Sequence, residues 1–495
     1  MGIVIRQSIK GTVVNYVGAF IGFLTTMLIA TRWLKEEEIG LLRVLFEVAA
    51  LLASFAQLGI ISSAIRFFPY FKSTDGRNNG FFFYLMAVPF VGMLIVIPLY
   101  VVFEESILGY FMEKSPLLID YANWIIPFTL LLVYLSVFET YANLLMRIAI
   151  PKFIREVVIR LLVVLLYLLY GFRLIELTPF VISYVAIYGI AMGLNFWYVS
   201  RIGSVSMKHY TSFVSPELRK QIFRYSAFLV VSILGTSITS KLDLFMVSGE
   251  MGLNYAGIYT IALFMAAIVE IPSRSITAIS APLASAALQA GDFQQANNLY
   301  KKVSLHQLLI GGAVFLLLWI NIDNIYDIMP NGDNYRGGKW VVFFIGVSRL
   351  IMVFLGFGYT LISYSKYYYW GLYFTFFITA ITILLNIWLI PIWGMTGAAI
   401  AALFSVMIGY GVQQWLVFAK VKGNPYTWNT LKVVIILGVL FGINSLIPEI
   451  GNVWFDALLR SMVVSVAGVV MVYYAHLSEE LDQLFSQALS RFRKR

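Results

Sequence analysis

Apolar residues along this chain come in unbroken runs of about twenty, the length a helix needs to cross roughly 30 Å of hydrocarbon, and short polar stretches separate them. Runs at 11–34, 40–65, 81–103, 121–146, 154–172 and 178–200 are followed by six more at 225–248, 253–280, 303–322, 340–363, 367–390 and 395–418, then by a last pair at 431–447 and 455–475. Runs of this length predict an all-α polytopic membrane protein with about 14 transmembrane helices. The longest loop, around 201–224, is too short for a folded extramembrane domain. Arg6 and Lys10 precede the first run, but it lacks a small-residue cleavage site and exceeds a signal-peptide core, so it reads as a span.

The polar stretches alternate in sign, which fixes an orientation, because short cytoplasmic loops are rich in Lys and Arg. With the N-terminus inside, Arg66, Lys72, Arg77, Arg147, Lys152, Arg155, Arg160, Arg201, Lys208, Arg219, Lys220 and Arg224 fall on the cytoplasmic side. Lys301, Lys302, Lys366, Lys420, Lys422 and the terminal Arg491–Arg495 fall there too. The alternate loops are acidic, from Glu36–Glu38, Glu104 and Glu105 through Glu250, Asp323, Asp327 and Asp333 to Glu449 and Asp456. An error of one span would invert every later loop, so an even count with both N and C termini cytoplasmic is expected.

Composition agrees with this class: 60% of residues are hydrophobic and 12% charged, against about 25% charged in soluble domains. The formal charge of +10 is what cytoplasmic loops produce, so no nucleic acid partner is implied. The absence of cysteine removes disulfides, thiol chemistry and cysteine metal sites. His209, His306 and His476 are scattered, which disfavours a metal cluster or catalytic dyad. Asn331–Lys339 lacks the Gly-Lys-Ser/Thr spacing of a phosphate loop, so ATP hydrolysis is not encoded there. Tyr367–Trp370 beside Lys366 reads as an interfacial aromatic belt. The tail from Leu477 to Arg495 reads as an amphipathic helix on the cytoplasmic leaflet or as a loosely ordered end.

A shift of about 217 residues lays the beginning of the chain on its middle: Glu38–Leu42 meets Tyr255–Tyr259, and Ala49-Ala50 meets Ala266-Ala267. Six spans on either side of the basic 201–224 linker predict two six-helix lobes related by a pseudo-twofold axis along the membrane normal, plus two extra C-terminal helices. The expected divisions are 1–220, 221–420 and 421–495. Eight charged residues fall within or just inside the spans: Arg43, Glu47, Glu139, Lys241, Asp243, Glu270, Arg274 and Arg349. A charge at membrane depth costs roughly 2.5–3.5 kcal/mol on insertion scales, so these are expected to pair or to face a hydrated cavity between the halves. Arg43 with Glu47, and Glu270 with Arg274, stand one helical turn apart and can neutralise each other. Lys241 and Asp243 share no helix face, and Lys241 is also placed to snorkel outward. Glu139 and Arg349 have no charged neighbour at three or four residues. The small-residue stripe of Asn15, Gly18 and Gly22 allows a close helix approach, Pro272 and Pro282 are sites for a kink, and Pro391 to Gly397 reads as a tight outer turn.

Thr31-Arg-Trp-Leu34 followed by Glu37-Glu-Ile-Gly40, Asp243 before Ala256-Gly-Ile-Tyr259, and Asn386 to Ala401 with its Pro391 and Gly394 resemble the polysaccharide-exporter branch of the multidrug/oligosaccharidyl-lipid/polysaccharide superfamily, which includes O-antigen and other lipid-linked oligosaccharide flippases. The resemblance spans about residues 1–420 by topology. It implies alternating access, with a polyprenyl-diphosphate-linked oligosaccharide moved from the inner to the outer leaflet of a bacterial inner membrane in lipopolysaccharide or related synthesis. A glycan polymerase is an implied neighbour. Arginine offers a fork of donors that matches phosphate oxygens and stays ionised, so Arg349, Arg43, Arg274 and Lys241 are candidate contacts for the diphosphate. Glu139 and Asp243, then Glu270 and Glu47, are candidates for coupling to H+ or Na+; no cofactor or metal is expected. Two other readings stand beside this one. A cation-coupled multidrug antiporter predicts a carboxylate-dominated cleft, and a glycan polymerase or ligase needs a larger outer loop for acid-base chemistry.

Overall fold

A computed structural model describes residues 17–73, 78–203 and 215–483, together with Val14 and Val205. Arg6, Lys10, Asn15, Arg77, Lys208, His209 and the tail beyond Gln483 lie outside the described residues. Every element among the described residues is helical, as the run lengths require of backbone that must satisfy its own hydrogen bonds in lipid. Eleven helices there are long and apolar enough to cross a bilayer. The chain divides into two compact units, Met1–Thr260 and Ile261–Arg495.

Unit 1 contains α1 (Val17–Trp33), α2 (Glu36–Ala56), α3 (Ile60–Phe71), α4 (Phe81–Met112), α5 (Ile125–Leu144), α6 (Ile159–Gly171), α7 (Leu177–Ile202), α8 (Pro216–Met251) and the start of α9 (Leu253–Ala267). Helix α2 is the hub, packed against α4, α5 and α8. Its Ala49, Ala53 and Ala56 are buried against Met93, Phe128, Val133 and Val185. Small residues serve here because helices in lipid associate by van der Waals contact, with no hydrophobic gain to draw them together. The run expected to cross unbroken over 40–65 instead turns at Leu58 and Gly59, both left-handed at φ 45° and 72°. The helix then resumes and reaches Phe71.

The repeat register appears directly in the packing. Gly40 of α2 lies so close to α9 that a Cβ on it would stand 2.1 Å from the Leu253 carbonyl oxygen, and one on Gly257 would stand 2.0 Å from that of Glu36. Positions 36 and 40 are each 217 residues before 253 and 257. Thus each glycine meets the carbonyl at the repeat-equivalent of its partner's place.

Unit 2 continues α9 into α10 (Ile271–Gln289), followed by α11 (Phe293–Ile320), α12 (Ile322–Ile328), α13 (Lys339–Leu355), α14 (Phe357–Tyr364), α15 (Trp370–Val421), α16 (Trp428–Ser445) and α17 (Val453–Ala475). A 3-10 turn at Ile268–Glu270 separates α9 from α10, and Pro272 follows in the first turn of α10, where its missing N–H costs nothing. The 52 residues of α15 fold back at Gly394 (φ 57°, ψ −136°), three residues after Pro391. Only glycine enters that region freely, so the turn predicted around Pro391 to Gly397 is where the structure has it. Helices α16 and α17 pack on α11 through Leu305, Leu308, Leu316, Val433, Ile436 and Val464. A buried Asp456–Arg460 pair at 2.6 Å, with Asn324 donating to Asp456 at 2.7 Å, pins α17 to α12.

Candidate functional site

The intramembrane charges gather into three groups, and two share one design: a carboxylate between two cations. In unit 1 the carboxylate is Glu47 on α2. Arg43, one turn back on the same helix, pairs with it at 2.6 Å. Lys241 of α8 donates to its other oxygen. The side chains of Glu47 and Lys241 are 9% and 14% exposed, so Lys241 does not snorkel outward but is held inward by Glu47. Asp243, on another face of α8, accepts from the Tyr259 hydroxyl at 3.4 Å. With all three members ionised, the Arg43–Glu47–Lys241 group carries one surplus positive charge.

In unit 2 the carboxylate is Glu270, presented by the 3-10 turn before α10. Arg349 of α13 donates to it at 2.6 Å. Arg274, the expected partner one turn on, is 3.9 Å away with a side chain 76% exposed. The stronger bond therefore comes from across the unit, and again one positive charge is left over. Glu270 borders a cavity of about 230 Å3 lined also by Ser273, Thr277, Gln307 and Tyr410. Gln307 donates to the Thr277 hydroxyl at 2.9 Å. Its buried Oε1 accepts nothing among the described residues.

The third group is built differently. Glu139 of α5 pairs with Arg155 at 2.8 Å, a residue that the charge pattern assigns to the cytoplasmic side at the start of the predicted 154–172 span. The structure puts Arg155 in a π-helical turn, Ile154–Val158, directly before α6. One turn on, Glu156 and Arg160 pair at 2.7 Å, and Arg160 donates to the Gly18 carbonyl. A Cβ at Gly18 or Gly22 would collide with Glu156 or Arg160, so the small-residue stripe of α1 makes room for this pair. The charges neutralise one another, which is how the helix can carry them.

The structure thus brings Arg43, Glu47 and Lys241 together, and separately Arg349, Glu270 and Arg274, while Glu139 belongs to neither set. Sequence reading missed Arg155, Gln307 and Tyr410. Neutral polar residues inside apolar runs, such as Gln307, were the available signal for the cavity.

No protein-family model matches the sequence. It is 23% identical over 458 residues to an uncharacterized membrane protein of Methanocaldococcus jannaschii, covering 88% of this chain and 86% of that one. Among solved structures, the lipid II flippase MurJ in an inward closed conformation matches with a TM-score of 0.74 at 12% identity, over 95% of this chain and 99% of that one. An inward-facing multidrug resistance MATE family transporter of the MOP superfamily matches with a TM-score of 0.59 at 15% identity, over 85% of this chain and 99% of that one. A MOP superfamily transporter from Pyrococcus furiosus, described as having a binding pocket of reverse polarity, matches at 0.56 and 15% identity, over 85% and 96%. The fold is therefore the MurJ and MATE fold, and its structural neighbours are MOP-superfamily transporters.

Proposed function

We propose that this multi-pass membrane protein is a secondary transporter that flips a polyprenyl-diphosphate-linked oligosaccharide from the inner to the outer leaflet of the cytoplasmic membrane by alternating access. One observation carries the reading: in each unit an interior carboxylate is outnumbered by two cations, Arg43 and Lys241 around Glu47 and Arg349 and Arg274 around Glu270. A surplus positive charge at membrane depth suits a concentrated anion such as a diphosphate. The likeness to a lipid II flippase supports a lipid-linked substrate. The MATE likeness favours a second reading, a cation-coupled multidrug antiporter, which the same surplus opposes because a cationic drug calls for unpaired carboxylates.

Leaflet exchange of a fluorescent lipid-linked sugar in vesicles containing the purified protein tests the proposal. Exchange without covalent change is expected, and Lys241→Gln with Arg349→Gln should slow it at least ten-fold. Unaltered exchange in that double variant refutes the assignment of these cations. Polymer formation would reveal an enzyme, and exchange only of an amphiphilic cation would reveal the antiporter.

A further inference from the structure

A cavity of about 740 Å3 lies between α3, α4 and the first half of α8 in unit 1. It is distinct from the charge clusters: Lys241 lies eleven residues beyond the last lining residue of α8, Val230, about 16 Å along the helix axis. Apart from Ser63, Tyr84, Arg219 and Ser226, its walls are apolar, with Phe67, Phe71 and Phe81 from α3 and α4 facing Ile222 and Val230. The volume is that of a ligand site. A glycan would find almost no hydrogen-bonding side chains here, whereas a hydrocarbon chain meets a matching surface. The Ser226 hydroxyl, buried in the wall, has no hydrogen-bond partner among the described residues.

Two cations stand in the cavity's lining or next to it, Arg219 within it and Arg66 over the lining Phe67 ring. Arg66 of α3 lies over the Tyr225 ring of α8, 4.4 Å from its centroid, which places its guanidinium where the two helices meet. The clustered interior cations all have carboxylate partners, but Arg66 and Arg219 form no ion pair among the described residues. Both lie on the side that the charge bias assigns to the cytoplasm, where anionic lipid headgroups collect.

We propose that this cavity is a binding site for one anionic phospholipid, its acyl chain between α3, α4 and α8 and its phosphate on Arg66 and Arg219. An acyl chain gains little by leaving lipid for an apolar pocket, so the chain is selected by shape and the headgroup by charge. A basic residue near the surface is worth about five-fold in affinity for an anionic lipid, so the two together give about twenty-five-fold preference over a zwitterionic one.

The test is lipid retention by the full chain. Protein purified from vesicles of equal phosphatidylglycerol and phosphatidylethanolamine is analysed by native mass spectrometry. The expected result is one phosphatidylglycerol per chain, retained about twenty-five-fold over phosphatidylethanolamine. Arg66→Gln with Arg219→Gln should erase the preference, and Ala227→Trp, which fills the cavity, should abolish retention. Because the glutamine variants lie at the exposed rim, they decide the matter even if the tryptophan variant fails to fold. Equal retention of both lipids, or a preference untouched by the glutamine pair, overturns the proposal. So does one-for-one displacement by a polyprenyl phosphate, which would assign the cavity to a transported lipid's chain. The readout involves no transport, so this site and the transport function stand or fall separately.

Discussion

Substituting Gly40 by alanine tests the repeat-related crossing of α2 and α9. The added methyl would stand 2.1 Å from the Leu253 carbonyl oxygen, against an ordinary contact of 3.4 Å or more, so the helices must part by about 1.3 Å. The obstacle is backbone, which cannot rotate away, so the cost belongs in the upper part of the roughly 1–3 kcal/mol range for overpacking. Alanine regains about 0.8–1 kcal/mol of helix propensity, leaving a net loss of about 2 kcal/mol. Gly193 of α7 is the control, since a Cβ there meets nothing within 4 Å, and Gly193→Ala should stabilise by the propensity term alone. At about 2–4 °C per kcal/mol, thermal unfolding in detergent should fall by roughly 4–8 °C for Gly40→Ala and rise by about 2–4 °C for Gly193→Ala. Gly257→Ala should behave like Gly40→Ala. The double variant should cost less than the sum by at least about 0.5 kcal/mol, because the first methyl has already opened the gap the second needs. Melting of Gly40→Ala and Gly257→Ala alongside the control would refute the close approach, and strict additivity would refute the shared contact.

Glu47→Gln leaves Lys241 buried without its counter-charge and should destabilise by about 3 kcal/mol or more; adding Lys241→Met should recover most of that loss, and no recovery would show that Lys241 is not the partner that matters. At the membrane surface, the hydrogen bond from Lys302 at 2.6 Å holds the Glu480 carboxyl below its ordinary range. A lowered folded value stabilises above the unfolded pKa of about 4.3 and ceases to do so as pH falls through the folded value. Protease protection of 477–483 should therefore persist at neutral pH and fade below about pH 4, with Lys302→Gln abolishing the dependence; protection constant down to pH 3 would contradict the pairing. Glu139→Gln with Asp243→Asn should abolish gradient-driven transport while thermal unfolding still shows a cooperative transition, and unchanged transport would remove both from ion coupling.

How much of this was legible depends on range along the chain. Run lengths gave the helices because lipid leaves the backbone no alternative. Gly394 gave the turn because its constraint is local, and Pro272 stands just after a 3-10 turn. The turn at Leu58–Gly59 was invisible inside a continuous apolar run, whose composition is the same on both sides of it. Arg155 read only as a cytoplasmic-side cation because its charge was visible and its partner, Glu139, was sixteen positions away. Among the sites, Arg43 with Glu47 was readable as a one-turn pair. Glu270 was read with Arg274, yet binds more closely to Arg349, 79 positions on, a contact no local spacing encodes. The family-like motifs proved informative about packing. Glu38 accepts from the Lys35 N–H at 2.9 Å and from the Tyr170 hydroxyl at 2.7 Å, Gly40 and Gly257 permit the helix crossing, and Gly394 turns the chain.

That division of labour explains why the motifs name a fold while leaving the cargo open. Residues that make helices cross and turn are constrained by backbone geometry, whereas cargo contacts are constrained by charge balance, which distant positions can supply in many ways. Two cations held close together with no anion between them repel each other, and Lys241, with a side chain 14% exposed, would also bear a desolvation cost. Glu47 and Glu270 relieve that repulsion, and on the proposed function each stands where a phosphate would bind. On that proposal an arriving diphosphate competes with a carboxylate that is already bonded, and concentrated negative charge is what lets a ligand gain enough from the same cations to do so. The carboxylate it frees is then the uncompensated charge, and it must find a proton, a cation or water. On the proposed function, selectivity for the headgroup follows from placing one carboxylate between two cations, and ion coupling at Glu47 and Glu270 would add to that assigned to Glu139 and Asp243.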